Sequence, residues 1–373
     1  MVKELDQEEK TSLLLSKYYL SESEKKELEH LFKKHQDWGK VIGILTTHRS
    51  IGSAWFTIKD HGLATYGKSS SNYFVKLVES IYCAQRLRGD VHYKNAVNVC
   101  GLLEENNINY AVLKGLPLAL SLYDDKGMRW SNDCDILINF DQLEEALKVV
   151  KSEGYVQGYF DLETNSIIKA KRRDIISSPL LSHEVQPFVK ETKDNYITHH
   201  PVDIQFSLDL LTNNRTDDMV SEFLNNTINI THNNDMFKSL NWEDHLLFLC
   251  IHFYKEAIYV KEVTAYKDFL LYKLIDIYRL LYKKREVLNW ASIKEKVSKY
   301  DLYTHVFYTF HYVISLFKDS SLVPHNFLEY ISNKTDNQIL DLVYDEHGES
   351  MFCWNLTIPE RFFNVNRIQQ LIN

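Results

Sequence analysis

The stretch NYAVLKGLPLALSLYDDKGMRWSNDCDILIN, from Asn109 to Asn139, decides how the rest of this chain is read. Tyr110–Leu113 is a short apolar run that stops at Lys114-Gly115, and a glycine there lets the backbone turn sharply into the helical segment LPLALSLY. The turn leaves free backbone N–H groups beside a lysine, an arrangement suited to phosphate oxygens. After the loop GMRWSN come Asp133-Cys134-Asp135 and, at once, Ile136-Leu137-Ile138, the signature of a buried strand. Side chains alternate along a strand, so Asp133 and Asp135 share one face. Cys134 then points the other way, as a small core residue.

Two carboxylates held about 4 Å apart repel by roughly 4 kcal/mol at an effective dielectric near 20. A folded site relieves this by protonation, by basic neighbours or by a divalent cation, and ligands that are all oxygen suit Mg²⁺ or Mn²⁺. Lys114 and Arg129 are the candidate basic neighbours in this stretch. Arg129 offers a planar fork for a phosphate or for Asp133 itself.

The order Leu113-Lys114-Gly115, Arg129, Asp133-Cys-Asp135-Ile-Leu-Ile, then His200-Pro-Val-Asp203-Ile-Gln-Phe resembles the uncharacterised bacterial nucleotidyltransferase family of the polymerase-beta-like superfamily. The resemblance implies that Asp133, Asp135 and Asp203 are the catalytic metal ligands, and that Lys114, Gly115 and Arg129 bind the nucleotide. It implies Mg²⁺ or Mn²⁺ as cofactor and a nucleoside triphosphate, ATP by expectation, as co-substrate. The acceptor it implies is a small molecule or a peptide, since some relatives accompany peptide natural-product pathways. Two departures stand out. Better-known superfamily members carry Gly-Ser shortly before the paired aspartates, where this chain has Lys114-Gly115 and a longer gap; many subfamily members carry a histidine after the third aspartate, where it has Ile204-Gln205. The leading expectation is a metal-dependent nucleotidyltransferase. A catalytically inactive nucleotide-binding or assembly protein on the same fold is the alternative, and a kinase-like phosphotransferase is a third reading.

Length and composition bound the rest. The chain has 373 residues, of which 45% are hydrophobic and 25% charged, enough for two or three compact units with real cores. A net charge of −8 argues against a broad nucleic-acid footprint. The polar start MVKELDQEEK does not read as a secretory signal, and no apolar run is long enough to cross a bilayer, so a cytoplasmic protein is expected. Five scattered cysteines form no C-x-x-C pair and suggest neither a disulfide framework nor structural zinc.

The expected architecture is α+β or α/β, a nucleotidyltransferase-like mixed sheet flanked by N-terminal helices and a C-terminal helical domain. Residues 1–107 read as helical throughout, with Ser71–Glu105 as one long helix or two, packed as a lid or platform on the sheet and offering no cluster of titratable groups. Residues 108–210 form the catalytic domain. Within it Asp141-Gln-Leu-Glu144 reads as an N-cap and capping box, Gly154 as a left-handed C-cap, and 155–198 as a β-rich insertion carrying the basic run Lys169–Arg173. Residues 211–373 read as helical, dense in aromatic residues as a bundle core would be. His245 and His252 share a helix face there, and His199-His200 precede the third aspartate; each pair could border a cleft or be structural.

Overall fold

The computed structural model describes residues 5–66, 69–194, 197–209, 215–345 and 348–372. Helices α1 (Gln7–Lys17), α2 (Glu22–Lys33), α3 (Trp38–Thr47), α4 (Ile51–Asp60) and the 37-residue α5 (Ser69–Glu105) come first. Capping boxes start α1 and α2, through Asp6 with Glu9 and Ser21 with Glu24. The stretch read as one or two helices is therefore one.

The α/β part follows as β1 (Tyr110–Val112), α6 (Gly115–Ser121), β2 (Cys134–Ile138), α7 (Leu143–Ser152), β3 (Val156–Asp161), β4 (Ser166–Lys169), α8 (Arg172–Ser182), β5 (Phe188–Glu191), β6 (His199–Gln205), α9 (Asp217–Asn225), β7 (Thr227–His232) and β8 (Asp235–Leu240). They make a mixed eight-stranded sheet in the order β4-β3-β5-β6-β2-β1-β8-β7. Strand β2 lies in its middle, antiparallel to β1 and parallel to β6, with Asp135 directly beside Asp203. Both its faces are covered, which is why it reads as an unbroken apolar run. Cys134, Ile136 and Ile138 pack with Val99, Cys100 and Leu103 of α5, whereas Leu137 packs on the other face with the C-terminal helices. Burying each such aliphatic side chain contributes roughly 1.5–3 kcal/mol. Asp135 alternates onto the Leu137 face, so the C-terminal helices supply the opposite wall of whatever space the carboxylates occupy.

The remaining elements are α10 (Trp242–Ile258), α11 (Val260–Thr264), α12 (Leu271–Lys284), α13 (Trp290–Lys299), α14 (Tyr303–Phe317), α15 (His325–Ser332), β9 (Leu342–Tyr344), β10 (Ser350–Trp354), α16 (Ile358–Phe363) and β11 (Leu371–Ile372). The last strands form a small sheet in the order β11-β10-β9. The mixed α+β class with helices at both ends is thus as expected, and three local readings are corrected. The expected helical run after residue 211 is interrupted by the small β9–β11 sheet and by the β7–β8 hairpin, which adds to the main sheet by pairing β8 with β1. The β-rich insertion contains a helix, α8, started by the exposed basic run itself. Asp141 is not an N-cap. A short 3₁₀ turn (Phe140–Gln142) precedes α7, and the Gln142 side chain instead accepts the Asn109 N–H and donates to the Asn107 carbonyl. Gly154 does take a left-handed conformation, φ +89°.

The N-terminal helices hold the loop between α6 and β2. Gly52 of α4 lies against that loop so closely that a Cβ would come within 2.0 Å of the Gly127 carbonyl oxygen. His48, fully enclosed, ties the same helices to α12 by accepting the Leu271 N–H at 3.1 Å. Burial, with help from Arg367, holds its imidazole neutral, with a pKa of about 3.

Two outcomes follow. Gly52→Ala should cost about 1–3 kcal/mol in chemical denaturation, while Gly43→Ala, whose Cβ meets nothing within 4 Å in α3, should stabilise by about 0.5–1 kcal/mol. Equal effects would contradict the packing described. His48 ionises near 6.5 when unfolded and near 3 when folded, so its contribution to stability is complete above about 6.5 and is lost as pH falls toward 3. Imidazole ¹⁵N shifts at pH 5 should show a neutral ring; an imidazolium there would refute this.

Candidate active site

Lys114 is the residue at which β1 becomes α6. Its backbone sits at φ 42°, ψ −125°, a region that residues with a Cβ rarely enter and that costs about 1–3 kcal/mol. The result is that its ammonium reaches back over the sheet to Asp135, with Nζ 2.9 Å from Oδ1. Gly115 follows because nothing larger fits: a Cβ there would lie 2.3 Å from Ser131 Oγ in the loop that leads to Asp133. The lysine-glycine pair and the aspartate loop are therefore interlocked.

Asp133, Asp135 and Asp203 converge. One carboxylate oxygen from each lies within 4.8 Å of the others, and no other set of three such ligands gathers among the described residues. Asp135 is buried, and burial with the nearby Asp133 charge raises its pKa to about 7 against the opposing pull of Lys114. Asp203 is raised well above the ordinary carboxylate range, by burial first and then by Asp133 and Asp135. Burial works against the charge on Lys114, but Asp135 and Asp133 outweigh it and hold the amine above the usual lysine range. Asp203 Oδ1 is enclosed with no hydrogen-bond partner. A buried acceptor left open beside two further carboxylates fits a hard divalent cation with oxygen ligands, which would satisfy it.

Arg129 lies at the same site, though its fork is taken up elsewhere. Its guanidinium is buried and grips Asp276 of α12, with Nε 3.0 Å from each carboxylate oxygen and Nη2 2.7 Å from Oδ2. Its Nη1 donates to the Trp130 carbonyl at 3.2 Å, and Tyr123 donates to Asp276 at 2.6 Å. Arg129 thereby fastens the aspartate loop to the C-terminal helices.

Lys114, Gly115, Arg129, Asp133 and Asp135 line a cleft of about 200 Å³ whose far wall is α10 and α12, with Asp203 beside Asp135 on the neighbouring strand. His252 borders it, 3.1 Å from Glu256 Oε2 one turn on, and Glu256 also pairs with Lys273. His245 does not; it is buried between Trp242 and Phe248 and neutral, its pKa lowered by burial to about 3. His200 faces the core toward α5, 2.7 Å from the Tyr155 hydroxyl, and His199 stacks on Phe160. The basic run Lys169–Arg173 is exposed and lines no part of the cleft.

Several residues of the site escaped the sequence reading. Asp276 was legible only as the lone acid of an apolar helix, a pattern that marks a buried partner without naming it, and Glu256 only as an acid beside Lys255 near the end of another. Arg49, in the N-terminal helices, also reaches the cleft, although no cluster of titratable groups was visible there.

Breaking the buried pair should be costly. Arg129→Met or Asp276→Leu alone should lose about 3–5 kcal/mol in chemical denaturation, because each leaves an uncompensated buried charge. The double variant should recover most of that loss, and additive losses would refute the pairing.

The family described as "Uncharacterised nucleotidyltransferase" matches residues 34–318. A solved structure, an antigenic nucleotidyltransferase-like protein from Paracoccidioides brasiliensis, is similar at 15% identity and a TM-score of 0.33, over 58% of this chain and 92% of that one. No curated protein matches the chain.

Proposed function

This chain belongs to the uncharacterised nucleotidyltransferase family, and from that premise we propose that it is a metal-dependent enzyme that moves a nucleoside monophosphate from a nucleoside triphosphate to a small-molecule or peptide acceptor. The observation that carries this reading is the convergence of Asp133, Asp135 and Asp203, with Asp203 Oδ1 buried and open. The three carboxylates would hold Mg²⁺ or Mn²⁺, which when bound neutralises phosphate charge and orients the α-phosphate. ATP is the nucleotide expected. No helix among the described residues is long and apolar enough to cross a membrane, and the five cysteines are free, which supports a cytoplasmic setting.

The chain's own residues have separate tasks. Lys114 holds Asp135 in place through its ion pair and favours the charged form of that carboxylate against burial. Gly115 and Ser131 hold the aspartate loop at its distance from the helix, and Arg129 anchors that loop through Asp276. Asp203, whose enclosed Oδ1 has no hydrogen-bond partner, is the group assigned to take the acceptor proton at its carboxylate. In the transfer the acceptor oxygen bonds to the α-phosphorus, the bond from that phosphorus to the bridging oxygen breaks, and pyrophosphate leaves.

The test is transfer of label from α-labelled ATP to an acceptor in Mg²⁺, set against γ-labelled ATP. Asp133→Asn and Asp135→Asn should each reduce transfer by about a hundredfold or more, and chelation should abolish it. Activity untouched by either change would end the proposal. Transfer from the γ-label alone would make the protein a kinase, and nucleotide binding with no transfer would make it an inactive binding protein.

A further inference from the structure

Three features of the cleft bear on which part of a substrate it receives. At about 200 Å³ it is smaller than the roughly 300–1,000 Å³ of pockets that enclose a whole drug-sized ligand. Its lining is mostly charged, five cations against three acids, with little apolar wall for a base. Most of those cations are already answered: Lys114 by Asp135, Arg129 by Asp276, Lys273 by Glu256, and Lys267 by Glu262 at 3.5 Å.

Arg49 is the exception. Among the described residues its guanidinium has no carboxylate and no hydrogen-bond partner. It is exposed to the cleft and lies over one side of the Tyr272 ring, 5.2 Å from its centre, and Arg129 is also stacked on that ring at 5.7 Å. Tyr272 thus orients two guanidiniums, one spent on Asp276 and one free.

Arg49 is also one of ten described non-glycine residues at positive φ. Helix α3 ends with the Ser50 N–H on the Leu45 carbonyl at 2.9 Å and the Arg49 N–H on the Thr46 carbonyl at 3.1 Å. That is a Schellman ending, and Arg49 occupies its left-handed position at φ 54°, where glycine is the residue of least strain. A side chain there costs about 1–2 kcal/mol. The chain carries an arginine at a position where folding alone favours glycine.

We infer that Arg49 binds the terminal phosphates of the nucleoside triphosphate, seated on Tyr272 at the mouth of the cleft, with Lys267 as a weaker neighbour at the rim. The inference rests on the proposed transferase reading for its substrate and makes the N-terminal helices part of the binding site. The nucleoside itself lies outside the cleft, and discrimination here is for a polyphosphate chain over a single phosphate.

The experiment measures binding of inorganic tripolyphosphate and of AMP to the full chain in Mg²⁺ by calorimetry. Arg49→Gly removes the guanidinium and relieves the backbone, so its melting temperature should be no lower than that of the wild type. Its affinity for tripolyphosphate should fall about ten- to a hundredfold, the value of one charge-assisted contact, with AMP affinity within about twofold. Arg49→Lys should recover part of the loss, and Lys267→Ala should weaken binding only a few-fold. Wild-type affinity for tripolyphosphate in Arg49→Gly, or no binding by the wild type, overturns the inference. Arg49-dependent binding without nucleotidyl transfer would leave it standing and remove the transferase reading instead.

Discussion

The crowding of Asp133, Asp135 and Asp203 is the constraint to which the surrounding structure answers. Bringing three carboxylates within 4.8 Å is costly, because burial and mutual repulsion act in the same direction on Asp135 and Asp203. Lys114, 2.9 Å from Asp135, offsets part of that cost, whereas the enclosed Asp203 Oδ1, without a hydrogen-bond partner, adds to it. A divalent cation of the kind proposed would relieve both the repulsion and the open acceptor.

Holding such a site needs rigid support, and the fold provides it from three directions. The central sheet sets Asp135 beside Asp203 by parallel pairing of β2 with β6. The N-terminal helices clamp the loop before Asp133, through the close contact of Gly52 with Gly127. The C-terminal helices pull the same loop from the other side through the buried Arg129–Asp276 pair. A buried pair of this kind adds little net stability over an apolar substitute, so its value here lies in geometry: it fixes which way the loop can sit.

Two of the ten described non-glycine residues at positive φ belong to this site. Lys114 and Arg49 are both non-glycine residues at positive φ, and both line the cleft. The histidines divide differently. His252 joins the cleft with Glu256 and Lys273, whereas His48, His200 and His245 are buried neutral groups that fill the interior.

Read alone, the residues between Asn109 and Asn139 determined a good deal: a strand, a turn at Lys114-Gly115, a short helix, and two aspartates on one face of a second strand. Those features are local, set by alternation along a strand and by the conformations open to a short turn, and so they are visible in one dimension. The same holds for the long helix α5 and the left-handed glycine at 154. What tertiary structure decided is long-range. That Asp203 lies beside Asp135, that Arg129 spends its fork on Asp276 some 147 residues away, that the β7–β8 hairpin extends the sheet, and that Arg49 reaches the cleft all depend on how distant segments pack. A charge carries no mark in the sequence of which partner will neutralise it; only the folded interior, where an unpaired charge is costly, makes that choice.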